Sequence, residues 1–367
     1  MQSIPRRVCL RGMDDPPLQR KNDAPTSRPS AKDVARLAGV STATVSRALN
    51  SPDQVDPETR ERVLSAVDKL RYLPHGAARA LRSRRSGMIG AVVPSFDYAL
   101  YARTTSSLQR ALDERGYSLV LAAHHYDLAN EVRLTEQLVR HAVDAFVYVG
   151  SDHDPALYRL LNDYGRPYVL TWGVDATGRH PSIGFDNQAA TFALTRYLIE
   201  LGHRRFALIS APVEGNDRAR ERGAGVRSAL AASGLALDQL FVRYGPISLA
   251  AGTAAMHELL RLPRRPTAVV ATNDVFAVGA MIACREAGIA IPEQVSIAGV
   301  DNTDLGATQT PTLTSVRTPI VEIGAAAAEQ LIARLEGGPA QLQQVLPFEL
   351  IRRGTTLPPP RVVHRVQ

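Results

Sequence analysis

Lys32-Asp33-Val34-Ala35-Arg36-Leu37-Ala38-Gly39-Val40-Ser41-Thr42-Ala43-Thr44-Val45-Ser46-Arg47-Ala48-Leu49-Asn50 reads as two short helices joined by a tight turn. Val34, Ala35 and Ala38 fall on one face of the first helix, and Ala35 is small where two helices cross closely. Gly39 suits the turn, because a residue without a Cβ tolerates positive φ. Ser41 is placed to cap the second helix, which Val40, Val45 and Leu49 anchor. A third helix opens at Asp56-Pro57, an N-cap followed by proline at the first helical position. Val63, Val67 and Leu70 line its inner side. The outer face of the second helix carries Ser41, Thr42, Thr44, Ser46, Arg47 and Asn50, with no acid among them. Such a face can approach DNA phosphates that would repel carboxylates. Thr42, Ala43 and Thr44 lie at the helix start, the part that reaches base edges in a helix-turn-helix. Arg47 can read a guanine or hold a phosphate. A solvated face on a protein-binding helical module is the alternative.

Working outward, the charge supports DNA. The 367-residue chain has a net charge of +7. Residues 30–86 hold eleven Lys/Arg against six Asp/Glu, and residues 1–29 six against three. Residues 87–367 hold twenty-six against twenty-seven, so the excess lies in the N-terminal quarter. A basic module on a near-neutral body is the footprint of a polyanion binder. Residues 1–29 contain five prolines and no apolar period, which predicts a disordered extension. Residues 30–74 form the helical DNA-binding domain, and 75–86 an Arg-rich linker. Two distant cysteines, Cys9 and Cys284, support neither a disulfide framework nor a metal cluster. No apolar segment precedes Cys9 as a signal peptide requires, and no run is long enough for a membrane span. A cytoplasmic, nucleoid-associated protein without membrane partner is expected.

After Gly87 short apolar strands alternate with helical stretches. Candidate strands are 89–93, 119–122, 145–149, 168–171, 206–209, 268–271 and 296–299; candidate helices include 108–115, 134–141, 189–201, 225–232 and 275–287. This βαβ rhythm predicts parallel sheets covered on both faces. The strands are too many for one small sheet, so two doubly wound lobes are expected over residues 87–354. Open α/β sheets bind ligands beyond the carboxyl ends of their strands, which makes the cleft between the lobes the natural site. The tail 355–367 is Pro-rich, with Pro358-Pro359-Pro360, and lacks leucine heptads. No Gly-x-Ser-x-Gly elbow, Walker loop or dinucleotide glycine fingerprint is present, which argues against an enzyme and leaves no cofactor expected. An exported solute-binding protein would suit the body but not the basic headpiece.

The quoted segment, with Tyr72-Leu73-Pro74 and Ala77-Ala78-Arg79-Ala80-Leu81, closely resembles the headpiece and hinge of the lactose-repressor-type (LacI) family of bacterial regulators. The resemblance extends from about Ser30 to about Arg353. It implies an all-α headpiece on a periplasmic-binding-protein-like body. It further implies a homodimer on a pseudo-palindromic double-stranded operator, and control by a small-molecule effector, with inducer-released repression the commoner pattern. Hinge helices would enter the minor groove, with Leu81 as the apolar wedge, Ala78 beside it and Arg79 on phosphate. Gly76 in that hinge departs from the family pattern and weakens a helix. By the same resemblance Asp186, Arg222, Asn273 and Asp301 bind the effector, with Tyr98 and Tyr101 to stack on it; Trp172, which ends a strand at the same sheet edge, is placed to flank it. Physically, Asn273 and Asp274 could instead cap a helix, and Arg218 or Arg220 could replace Arg222 as the gripping group. Tyr98, Tyr101 and Trp172 could equally be packed in the lobes, and Asp186 and Asp301 could be turn residues. A sugar or sugar acid is the expected effector, because the Gly184–Asn187 run and the Asp97 loop resemble regulators answering to gluconate-like acids.

Overall fold

The computed structural model describes residues 29–73 and 85–360. They belong to two compact units, a headpiece and a body. The linker residues Ala78, Arg79 and Leu81, and most of the N-terminal extension, lie outside the described residues.

In the headpiece, α1 spans Ala31–Ala38, α2 Thr42–Asn50 and α3 Pro57–Leu70, with a 3-10 turn at Pro52–Gln54. The Ser30 N–H donates to Asp33 Oδ2 at 3.0 Å, which satisfies one of the orphan donors at the start of α1. Gly39 takes φ 66°, as the turn requires. Ser41 Oγ accepts from Thr44 N at 3.1 Å, and Asp56 Oδ2 accepts from Thr59 N at 3.1 Å, so both expected caps form. Val34, Ala38, Val45, Ala48, Val63 and Tyr72 close one small core.

In the body, the first lobe carries β1 (Met88–Val93), β2 (Ser118–Ala123), β3 (Ala145–Val149), β4 (Tyr168–Thr171), β5 (Ser182–Gly184) and β11 (Gln343–Val345), in the order β11-β5-β4-β3-β1-β2. Every pairing in it is parallel. The second lobe carries β6 (Phe206–Ser210), β7 (Val242–Tyr244), β8 (Ala268–Ala271), β9 (Ser296–Asp301), β10 (Thr314–Arg317) and β12 (Glu349–Ile351), in the order β12-β10-β9-β8-β6-β7. There only the β10–β12 pairing is antiparallel. Central strands such as Ala145–Val149 are buried throughout, as expected where helices cover both faces.

The body's helices are α4 (Ala99–Asp113), α5 (Leu128–Arg140), α6 (Pro155–Asp163), α7 (Asn187–Glu200), α8 (Asp217–Ala232), α9 (Leu249–Leu260), α10 (Asp274–Glu286), α11 (Asp304–Ala307) and α12 (Ile320–Glu336), of which α4, α7, α8, α10 and α12 matter for the site. The chain passes between lobes after β5, after β10 and after β11. Helix α7 packs on α8, while α12 packs on α4 and β3–β5. The α7–α8 crossing is close: a Cβ on Gly225 would lie 2.2 Å from the Gln188 carbonyl oxygen. Each lobe reverses its strand order between its first and third strands, at β1/β3 and at β6/β8, and open sheets bind ligands at such switch points.

Two boundaries differ from expectation. Helices begin earlier than their expected starts: α4 at Ala99, where Leu100 and Tyr101 are already buried, and α8 at Asp217, whose first turn carries the buried polar groups Asp217 and Arg218. The body also continues past Gly354. Thr355 Oγ1 donates to the Ile297 carbonyl at 2.6 Å and Leu357 N to Ser296 Oγ at 3.1 Å, so the start of the Pro-rich tail is part of the second lobe.

Candidate functional site

The carboxyl ends of the switch-point strands face one another across the interlobe cleft. Tyr98, Tyr101 and Trp172 from the first lobe and Arg218, Arg222 and Asn273 from the second line a small cavity of about 30 Å³. That is room for about one water. A larger cavity of about 350 Å³ shares Tyr98, Tyr126 and Asn216 with it and leads outward.

Arg222 is the hub. Its Nε donates to Asn187 Oδ1 at 2.8 Å, Nη1 to the Thr272 carbonyl at 2.6 Å and Nη2 to Asp301 Oδ1 at 3.1 Å. The guanidinium and the Asp301 carboxylate are both buried. The Tyr98 hydroxyl donates to the other oxygen, Asp301 Oδ2, and so joins the first lobe to the second. Burial and the adjacent Asp301 charge push the Tyr98 phenol well above its ordinary range, so it serves as a donor. Tyr101 packs edge-on against both Tyr98 and Trp172. Trp172 takes φ 72°, and its buried Nε1 has no hydrogen-bond partner. Asn273 spends its Oδ1 on capping α10, accepting from Phe276 N at 2.9 Å.

Tyr98, Tyr101, Trp172, Arg222, Asn273 and Asp301 therefore come together. Asp186 does not join them. It is exposed and caps α7 through Ala189 N at 2.7 Å. Its neighbour Asn187 is the side chain that turns inward, donating to the Trp172 carbonyl at 2.8 Å while holding Arg222.

Arg218, which the sequence offered only as an alternative to Arg222, and Asp217, which it did not single out, also belong to the site. Asp217 Oδ1 and the Arg218 guanidinium pair at 2.5 Å. Asp217 Oδ2 accepts from Ser151 N at 2.7 Å and Ser151 Oγ at 2.9 Å across the cleft. Arg218 donates to the Val149 carbonyl at 3.2 Å. Burial works to raise the Asp217 carboxyl, but the Arg218 charge and the Ser151 donors hold it below the ordinary carboxylate range. Gly150 makes this approach possible: it sits at φ 91°, and a Cβ there would lie 1.9 Å from Arg218 Nη1. Farther out, Arg220 grips both oxygens of Asp152 at 2.6 and 2.7 Å. The usable sequence signal was the loop Gly150-Ser151-Asp152. His153 of that loop bonds Glu131 Oε2 at 2.8 Å, and no metal-holding group exists among the described residues.

Glu221 lies on α8 among these charges. Burial, then the Asp217 and Asp186 carboxylates, push it up to about 7 from 4.5. A carboxyl whose folded value is raised favours the folded state while protonated. Its contribution is complete below about pH 4.5 and is lost as pH rises to about 7. The melting temperature of Glu221→Gln should therefore fall less than that of the parent over this interval. An unchanged pH profile in thermal melts would contradict the assignment.

In the headpiece, α2 presents Thr42, Ala43, Arg47 and Asn50 outward, while Val45 and Ala48 are buried. The Ser41 and Thr44 hydroxyls lie 2.9 Å apart within the cap. Asn50 Nδ2 donates back to the Ser46 carbonyl at 2.7 Å. The first turn and Arg47 are thus the outward-facing part of an acid-free helix. A two-lobed body with a polar interlobe cavity, on a chain with such a headpiece, defines an effector-sensing DNA-binding regulator.

The comparisons agree. "Bacterial regulatory proteins, lacI family" matches residues 30–75, and "Periplasmic binding protein-like domain" matches residues 195–356. The transcriptional regulator CelR of Thermobifida fusca is 35% identical, over 84% of this chain and 93% of its own. The lac repressor dimer bound to operator and an anti-inducer aligns with TM-score 0.82 and 27% identity, over 90% of this chain and 99% of that one. A CelR–cellobiose complex aligns with TM-score 0.67 and 33% identity, over 89% and 100%. The chain belongs to the LacI family of bacterial transcriptional regulators. No described helix is long and apolar enough to cross a membrane.

Proposed function

We propose that this protein is a cytoplasmic, homodimeric repressor that binds a pseudo-palindromic operator and responds to a sugar held between its lobes. The observation that carries this reading is the chain Tyr98–Asp301–Arg222. It ties the lobes together through the groups that a saccharide's hydroxyls would compete for. A ligand shifts the lobes only by its differential affinity for their two settings, typically about 1–3 kcal/mol of coupling. The sugar-bound CelR relative supports a saccharide as that ligand.

Two copies of α2 would read two half-sites in successive major grooves, as two-fold symmetric dimers do. Ala78, Arg79 and Leu81 would act between them, Leu81 as a wedge that opens a base step at a cost of about a few kcal/mol.

Selection of bound duplexes from random DNA tests this reading. It should return a two-fold symmetric pair of half-sites, bound by a dimer in sizing experiments. Leu81→Ala should weaken binding to that site much more than binding to unrelated DNA. A single asymmetric half-site bound by a monomer, or equal losses on both DNAs, would contradict it.

A further inference from the structure

From the arrangement of charge around the cleft we infer that the effector is an uncharged saccharide, and that the site discriminates against sugar acids and sugar phosphates. This rests on the reading of the cleft as the effector site, and it decides between the two ligand classes that the sequence left open.

The first argument concerns the cations. Three arginines of α8, Arg218, Arg220 and Arg222, reach the cleft, and each already has its own carboxylate: Asp217, Asp152 and Asp301 respectively. The Arg218 and Arg222 pairs are buried on both sides. An anionic ligand would have to draw a guanidinium away from a buried carboxylate and leave that carboxylate uncompensated, which low-dielectric surroundings penalise heavily. Asp274 adds a further acid behind Asp301. Its oxygens accept from Ser315 Oγ at 2.6 Å and Thr303 N at 2.6 Å.

The second argument concerns the mouth. The outer cavity is walled by Pro94, Tyr126, Pro212 and Pro246, with the carboxylates Asp97 and Glu214. Among the described residues that line it, none is lysine or arginine. An approaching carboxylate or phosphate meets these two like charges, with His125 the one basic side chain in the lining. An uncharged sugar meets apolar and aromatic walls for its ring faces and acceptors for its hydroxyls.

The third argument is the unused donor. Trp172 Nε1 is buried at the inner cavity without a partner. An indole N–H only donates, and a sugar hydroxyl or ring oxygen can accept from it.

The test uses the purified full-length protein and matched pairs: glucose with gluconate and with glucose 6-phosphate, and cellobiose with cellobionate. Melting temperatures and titration calorimetry are recorded for each at millimolar concentration. A neutral member should stabilise the protein, and its charged counterpart should bind at least about tenfold more weakly, a difference of about 1.4 kcal/mol. In Asp97→Asn/Glu214→Gln the charged members should gain affinity relative to their neutral partners, so the gap should narrow. The inference is overturned if a sugar acid or phosphate binds as tightly as its neutral partner. It is equally overturned if no neutral sugar of the panel binds. Binding of the selected operator by the same preparation reports separately on the regulatory reading.

Discussion

Arg222→Ala should abolish the response to effector and also lower folding stability by about 3–5 kcal/mol, the range for stranding one partner of a buried ion pair. The second effect follows from geometry. Arg222 satisfies Asn187, the Thr272 carbonyl and Asp301 at once, and Asp301 is fully enclosed. Removing the guanidinium leaves that carboxylate with the Tyr98 hydroxyl as its remaining donor. The double variant Arg222→Ala/Asp301→Asn should recover most of the lost stability, because the unpaired charge is gone. It should not recover the effector response, because the hydroxyl-gripping fork is still missing. Denaturant melts and ligand-dependent melting together separate the two effects. A single variant that stays as stable as the parent, or a double variant that responds to ligand, would contradict the role assigned to Arg222.

The second large effect lies in the headpiece. Ala43→Glu should weaken operator binding by about 100-fold or more, because it places a carboxylate at the start of a helix that must enter a groove walled by phosphates. Arg47→Ala should cost about 1–3 kcal/mol of binding if the guanidinium reads a guanine, with relaxed preference at one base pair. Ala43 and Arg47 are both exposed, so the headpiece itself should melt within about 0.5 kcal/mol of the parent. Fluorescence anisotropy on specific and scrambled duplexes checks both. Undiminished binding by Ala43→Glu would remove α2 from the interface. A loss for Arg47→Ala that is equal on all sequences would make it a phosphate contact instead.

The headpiece was legible almost residue by residue because its signals are local. Gly39 at positive φ, the Ser41 cap and the Asp56-Pro57 start each act within one turn of chain. Seven strands of the body were legible as apolar runs, and 145–149, 168–171 and 268–271 were placed to the residue, but β5, β7 and β10 were missed: Ser182-Ile183-Gly184 and Thr314-Ser315-Val316 are buried without being apolar runs. The strands that sew the lobes together were not legible either. β11 and β12 are three residues long, β11 is largely exposed and β12 only half-buried, so neither leaves an apolar run.

In the site, Arg222, Asp301 and Tyr98 were named through family resemblance, and the structure joins them in one chain of bonds. Arg218 and Asp217 sit in a stretch dense in charge, Asp217-Arg218-Ala219-Arg220-Glu221-Arg222, that looks like a solvated helix face. Their burial comes from Gly150 and Ser151, more than sixty residues earlier, and no local pattern records it. Asp186 and Asn187 show how narrow the margin is. One step along the start of a helix turns a side chain from water to the Arg222 guanidinium.

The most direct test of the account is the affinity of the full-length protein for its selected operator, measured by anisotropy with and without a saccharide that raises its melting temperature. The account predicts a shift of about fivefold or more on the operator, corresponding to about 1 kcal/mol of coupling, with little change on scrambled DNA. An operator affinity that stays the same with the cleft saturated would show that the cleft does not control DNA binding, and would contradict the account at its centre.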